Sequence, residues 1–196
     1  MHFSYYEKIG KKVICIDDEI RFDIPESWSW VRLGTLFMHN TGKALNASKS
    51  EGEELTYITT SNVYWDRFEL DNLKTMPFAS SEIEKCTIVK DDLLVCEGGD
   101  IGRSAIWNLN EPMRIQNHIH RLRAYIPLET ELYYYVLYLY KLQGIIAGNG
   151  IGLQGLSSNR LHSILVPLPP LKEQKVIVKK IKELLNNVDN IEQNLN

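Results

Sequence analysis

Apolar and polar positions follow three successive regimes along this chain. From about residue 55 to 126 the pattern is that of strands. Leu55-Thr56-Tyr57-Ile58-Thr59-Thr60 is β-branched and aromatic, and Leu93-Leu94-Val95-Cys96 after Asp91-Asp92 predicts a turn and then a buried strand. Gly98-Gly99-Asp100-Ile101-Gly102 predicts a turn, with Ser104-Ala105-Ile106-Trp107 as the return strand. Ile119, Leu122 and Tyr125 fit no strict period, which predicts a bend or bulge within 116–125. From 129 to about 147 the pattern turns helical, and a tyrosine-rich core of that stretch predicts a largely buried helix. Gly144, Gly148, Gly150, Gly152 and Gly155 predict a loop, and a short helix over about 157–163 precedes Ile164-Leu165-Val166-Pro167-Leu168-Pro169.

The third regime is a heptad. Ile177, Ile181, Leu184, Val188, Ile191 and Leu195 recur at alternating steps of four and three, which places them on one face of a helix beginning near Pro170. The other faces are polar, and a lone helix of this length is marginal in water. The six residues are therefore assigned to dimerisation, against another copy, another protein or the remainder of a longer chain.

These patterns predict an α+β fold. Residues 1–21 read as a connector with a small strand at Val13-Ile14-Cys15-Ile16, residues 22–168 as a mixed globular domain, and residues 169–196 as a coiled-coil helix. Trp28 and Trp30 read as packing anchors at the start of the domain, with Ser27 as a candidate helix cap. There is no run of 18 apolar residues, which excludes a membrane helix from the expectation. The opening residues lack the apolar core of a signal peptide. The three scattered cysteines, Cys15, Cys86 and Cys96, point to buried thiols in a reducing cytoplasm.

The net charge of −3 hides an asymmetry. Residues 1–100 carry −7, residues 101–175 carry +4, and the last 21 are neutral. The basic stretch, with Arg103, Arg114, His118, His120, Arg121, Arg123 and Arg160, is the expected electropositive surface.

Catalytic chemistry finds no foothold. Gly150-Ile151-Gly152-Leu153-Gln154-Gly155 spells G-x-G-x-x-G, but prolines and a coiled-coil helix follow it where a βαβ unit needs a strand and an acid. It reads instead as a loop that crosses close to another backbone. His118-x-His120 lacks a third metal ligand at a recognisable spacing. No G-x-S-x-G, H-E-x-x-H or Walker sequence occurs, nor the Asn/Asp-Pro-Pro-aromatic motif of enzymes that methylate a flipped base.

What remains suits recognition. Ser61, Asn62, Tyr64 and Arg67 follow a strand; Arg103 adjoins the glycine turn; Arg114, Gln116, Asn117, His118, His120 and Arg121 lie together; Gln154, Ser157, Ser158, Asn159 and Arg160 flank the glycine loop. Lys43 and Lys49 complete the set. Arg can fork onto guanine and Asn or Gln onto adenine, while Ser, Lys and backbone amides suit phosphates. The amides and histidines could equally satisfy buried turns, and Tyr64 and Trp65 could equally be core.

The chain resembles the specificity subunits of Type I restriction–modification systems. The resemblance rests on Phe22-Asp23-Ile24-Pro25-Glu26-Ser27-Trp28-Ser29-Trp30-Val31-Arg32-Leu33-Gly34 and Tyr57-Ile58-Thr59-Thr60-Ser61-Asn62-Val63. It extends to Gly98-Gly99-Asp100-Ile101-Gly102-Arg103-Ser104-Ala105, Gly152-Leu153-Gln154-Gly155-Leu156-Ser157 and Val166-Pro167-Leu168-Pro169-Pro170-Leu171-Lys172-Glu173-Gln174. It implies that residues 22–168 are a target recognition domain and 169–196 a conserved spacer helix. Family members usually carry two of each, so this chain is a natural half-subunit or the carboxyl half of a longer one. The resemblance further implies a non-catalytic reader of double-stranded DNA that docks methyltransferase subunits and, through them, a nuclease-translocase. The chain itself would bind no cofactor; its partners would use S-adenosylmethionine, ATP and Mg2+. The rival expectation is an interaction protein that pairs with or competes for such subunits without reading DNA.

Overall fold

A computed structural model describes residues 4–45, 51–146 and 155–195. Lys49, Gln154 and most of the G-x-G-x-x-G stretch lie outside the described residues.

Strand β8 (Leu93–Cys96) is buried along its whole length. Its alternate side chains enter two different clusters, because successive Cβ atoms leave a strand on opposite faces. Leu93 and Val95 join a core with Phe37, Leu122, Tyr133, Val136, Leu137 and Tyr140. Leu94 and Cys96 join another with Ile58, Ala105, Trp107, Ile115 and Ile119. The sheet that holds β8 runs β4 (Phe37–Thr41), β11 (Ile119–Ala124), β8, β9 (Ser104–Ile106) and is antiparallel throughout. A second four-stranded sheet, β6 (Lys74–Phe78), β5 (Glu53–Ile58), β10 (Met113–Ile115), β7 (Thr87–Ile88), contributes Ile58, Ile88 and Ile115 to the second core. Helix α3 (Thr130–Leu142) supplies the first core through Leu132, Tyr133, Val136, Leu137 and Tyr140, while Tyr138 and Leu139 are exposed. The tyrosine-rich helix is thus buried along one face, with Tyr138 at the surface. The fold is α+β, as the pattern predicts.

Helix α1 (Leu33–Leu36) is a single turn that the pattern does not announce, and α2 (Ser80–Cys86) precedes β7. Helix α4 (Ser158–Ser163) packs on α1, and β12 (Leu165–Leu168) pairs with β3 (Ser29–Arg32). The expected bend is the 116–118 corner between β10 and β11. Ser27 caps no helix, since the chain turns there and enters β3. Trp28 and Trp30 do serve as anchors. Trp28 Nε1 donates to Glu173 at 2.7 Å, and Trp30 packs at a tilt against Phe22.

The amino-terminal residues form a hairpin, β1 (Tyr6–Ile9) with β2 (Lys12–Cys15), rather than one small strand. Cys15 is exposed, against expectation, whereas Cys86 and Cys96 are buried. The hairpin is held chiefly by Arg32, whose guanidinium donates to Glu7, Glu19 and the Ser163 carbonyl. Both carboxyls lie below their usual range because of the Arg32 hydrogen bonds.

Helix α5 (Leu171–Leu195) starts where the prolines predict. Gln174, 1% exposed, fixes its root: its Oε1 accepts from the Glu129 amide at 3.0 Å and its Nε2 donates to the Pro169 carbonyl at 2.8 Å. Val178 enters the first core with Ile177 packed beside it, and Lys182 pairs with Glu131 of α3. The heptad face therefore divides. Ile177 packs on its own globule and Ile181 is half-buried, which corrects the expectation that all six await a partner. Leu184, Val188, Ile191 and Leu195 are exposed, beyond the reach of α3. No helix among the described residues is long and apolar enough to cross a membrane.

β11 also carries polar side chains into the interior. His120, 1% exposed, bonds through Nε2 to the Leu156 carbonyl at 2.6 Å and through Nδ1 to His39 Nε2 at 2.8 Å. A carbonyl can only accept, so His120 carries its proton on Nε2 and accepts from His39. His162 of α4 packs edge-on against His39. Burial first, then the charges of His120, His162 and Arg121, push His39 down to about 4; burial likewise lowers His120.

Two outcomes follow from these contacts. Gln174→Ala should cost about 1–3 kcal/mol by stranding a buried amide and carbonyl. It should lower the melting temperature and speed hydrogen exchange at the root of α5; unchanged exchange there would refute the anchoring role. The histidines have folded values below the unfolded ~6.5, so the folded state binds fewer protons. Their contribution is complete above about pH 6.5 and declines as pH falls, for His39 down to about 4. Urea midpoints between pH 7.5 and 5 should fall for the native chain, and less steeply for a His39→Gln, His120→Gln double variant.

Candidate nucleic-acid interface

Strand ends and tight turns, not helices, bring the polar residues of this face together. β5 ends in a one-turn 3-10 helix, Thr60–Asn62. Asn62 closes it: its Oδ1 accepts from the Thr59 amide at 2.9 Å and its Nδ2 donates to the Glu69 carbonyl at 2.9 Å. The Ser61 side chain stays at the surface within 2.7 Å of the Thr59 hydroxyl. The glycine turn between β8 and β9 closes through Gly102, whose φ of +82° and contact with Ile146 leave no room for a Cβ. Arg103 leaves this turn and donates from Nη2 to the Thr60 carbonyl at 2.6 Å, which binds two loops from different sheets.

The 116–118 corner meets the same region. Its backbone is held by the Ile58 and Lys43 carbonyls, and Gln116, 8% exposed, donates to Asn117 at 2.7 Å. His118 is exposed and lies 3.3 Å from Glu97. The chain returning at Gly155 passes directly over Glu97. The Leu156 amide donates to the Glu97 carbonyl at 2.9 Å, and a Cβ on Gly155 would come within 2.8 Å of that oxygen. The expected close crossing of two backbones thus occurs at the last glycine of the motif. Thr60, Glu97, Gly98, Gly99, Ile101, His118 and Gly155 line a cleft of about 480 Å³. Asn117 lines a neighbouring hollow with Lys43 and the exposed Lys85.

Several expected contact residues are otherwise engaged. Arg121 is 2% exposed, and its Nη1 donates to the Glu84 and Thr87 carbonyls at the end of α2. A cation there satisfies carbonyls that the helix leaves open. His120 is equally internal. Lys43 is 9% exposed, with Nζ on the Pro77 carbonyl and Glu82. These three, with Gln116, support the fold of the face and are corrected from contact residues to positioning residues. Burial consumes the donors that a ligand would need. Arg114 is half-buried and donates to the Thr56 carbonyl. Ser157 caps α4 by accepting from the Arg160 amide at 3.4 Å. Asn159 is exposed, and Ser158 and Arg160 are partly so.

The sequence reading missed Thr60, Glu97 and Lys85. Thr60 acts through its carbonyl, which any residue possesses. Glu97 and Lys85 precede the basic stretch, and the fold brings Glu97 to His118 and Lys85 of α2 to the hollow that Asn117 lines. His118 and His120 do not converge, being taken by Glu97 and Leu156 respectively. No group of three or more potential metal ligands is placed to hold an ion among the described residues. Another hollow, lined by Asp66, Asp91, Glu129 and Glu131 beside Tyr134 and Tyr135, has the wrong sign for phosphate.

This arrangement has relatives. The family of the Type I restriction modification DNA specificity domain matches residues 25–196. The EcoBI specificity subunit of the type I restriction enzyme of Escherichia coli is 30% identical over 123 residues, covering 62% of this chain and 26% of that protein. A chain solved in work on assembly and conformational transition of a type I R-M system superposes with a TM-score of 0.69 at 20% identity, over 88% of this chain and 42% of that one. The HsdS subunit from Thermoanaerobacter tengcongensis gives 0.65 at 21% identity, over 88% and 41%. This chain therefore spans less than half the length of these relatives, with one globule and one long helix. The match from residue 25 onward covers both the loop-built face and the helix, and the chain belongs to the family of type I restriction–modification DNA specificity domains.

Proposed function

We propose that this chain reads one half of a gapped DNA target and docks the methyltransferase subunits of a type I restriction–modification complex, without catalysing a reaction itself. The observation that carries this reading is the division of labour in the chain. Turns from both four-stranded sheets converge on one polar face, while α5 leaves the same globule with an unburied apolar seam. Ser61, Asn117, His118 and Arg160 suit a duplex, where phosphate contacts orient and base edges specify. Of α5's 25 residues, at 1.5 Å each, the rod is about 37 Å long, close to one turn of B-DNA at about 34–36 Å.

The partner for Leu184, Val188, Ile191 and Leu195 is a helix of a second copy or of a second half-subunit. Two globules on antiparallel helices would read an inverted, gapped sequence. S-adenosylmethionine, ATP and Mg2+ belong to the methyltransferase and nuclease-translocase subunits in this scheme, and the assembly works in the cytoplasm.

Selection from random duplexes tests the reading. The chain should enrich a defined half-site and lose affinity steeply as salt rises. Enrichment of no sequence would reject it and favour an interaction protein that does not read DNA. Arg160→Ala should weaken binding, by a similar factor on all sequences if it contacts phosphate. Val188→Glu should convert an assembled species to monomer in sedimentation, with circular dichroism unchanged; a native chain already monomeric at tens of micromolar would remove the self-pairing arrangement.

A further inference from the structure

The loop that follows Thr60–Asn62 is built more rigidly than its exposure requires. Val63 and Phe68 form an isolated bridge, the Tyr64 amide donates to the Arg67 carbonyl at 3.0 Å, and the Glu69 amide donates to the Asn62 carbonyl at 3.0 Å. Asp66 takes a φ of +62° to close the tip. Trp65 is set edge-on against Tyr138 of α3, which fastens the tip to the globule from one side. Arg103 fastens it from another. Its guanidinium lies 5.0 Å from the Tyr64 ring centre while its Nη2 holds the Thr60 carbonyl.

Arg67 completes this construction. Its guanidinium lies 4.7 Å from the same Tyr64 ring, and its side chain is 61% exposed. Glu69, the acid with which it pairs, is 3.6 Å away and itself exposed, so that pairing is weak. A ring stacked under a guanidinium orients the plane and leaves the edge donors free. Most exposed arginines sweep a cone, at an entropic cost on binding; this one is held in advance.

We propose that Arg67 determines specificity by forking onto the O6 and N7 edge of a guanine, with Tyr64 and Arg103 as positioning residues. This rests on the DNA-reading function proposed above. Two features favour a base edge over a phosphate. A phosphate offers acceptors in many directions, whereas guanine O6 and N7 lie in one plane and reward a guanidinium whose plane is set in advance. The adjacent Asp66 and Glu69 also place negative charge at the tip, which repels a phosphate more than it does a base edge.

The full chain and its Arg67→Ala, Tyr64→Phe and Tyr64→Ala variants would each be put through selection from randomised duplexes. Arg67→Ala should relax one G·C position by roughly 5- to 150-fold and leave the other positions intact. Tyr64→Phe, which keeps the ring, should retain the native preference. Tyr64→Ala should relax the same position as Arg67→Ala. Melting curves of the two Tyr64 variants separate a lost stack from a lost fold. Uniform weakening by Arg67→Ala with no change in preference would make it a phosphate contact and overturn the inference, as would relaxation of a different position by Tyr64→Ala. If the native chain selects no sequence, the DNA-reading function itself fails, and this inference with it.

Discussion

The β11–β8 pair, covered on both faces, is the constraint from which the rest of the structure follows. A strand buried on both sides has no polar face, so its hydrogen-bonding groups must look for partners inside the protein, and Arg121 Nε is buried without one. β8 meets this with four apolar residues. β11 carries His120 and Arg121, and the surrounding elements are arranged around their needs. Arg121 holds the end of α2, and His120 holds the returning chain at Leu156 and the ring of His39. Removing either partner would leave a buried polar group without compensation, which is more damaging than losing a surface contact.

The same constraint explains where variable chemistry can sit. With the sheet centres sealed, only the strand ends and turns remain open, and loops positioned by a rigid scaffold are suited to carry recognition. The Thr60–Asn62 turn, the glycine turn before Arg103, the 116–118 corner and the crossing at Gly155 all lie at such ends. Arg103 ties two of them together through a backbone oxygen, so the tie does not depend on what the neighbouring side chains are. Those side chains can change while the frame stays.

At the other end of the molecule, the root of α5 is as closely held as the sheets are. Trp28, Gln174, Val178 and Lys182 clamp its first three turns to the domain. The apolar side chains of its distal turns, Leu184, Val188, Ile191 and Leu195, are exposed. A helix anchored at one end carries the orientation of its own globule along its length, which in the proposed arrangement would set a defined spacing rather than a loose tether.

Periodicity alone determined the α+β class, the strands at β5, β8 and β9, the tyrosine-rich helix, the short α4 and the start of α5 at the prolines. These depend on local propensity and on the two repeats that separate strand from helix. The sequence also carried enough motif to place the chain in its family. Tertiary structure alone decided which polar residues face solvent. Arg121 and Arg103 belong to the same basic stretch of the chain, and nothing in their neighbours separates their roles. One is enclosed beneath α2, and the other lies against Tyr64. Likewise Ile177 and Val188 share a heptad face, and only the position of α3 buries the first and leaves the second exposed. Burial is a property of what arrives from distant parts of the chain, and a one-dimensional pattern records a residue's face but not what covers it.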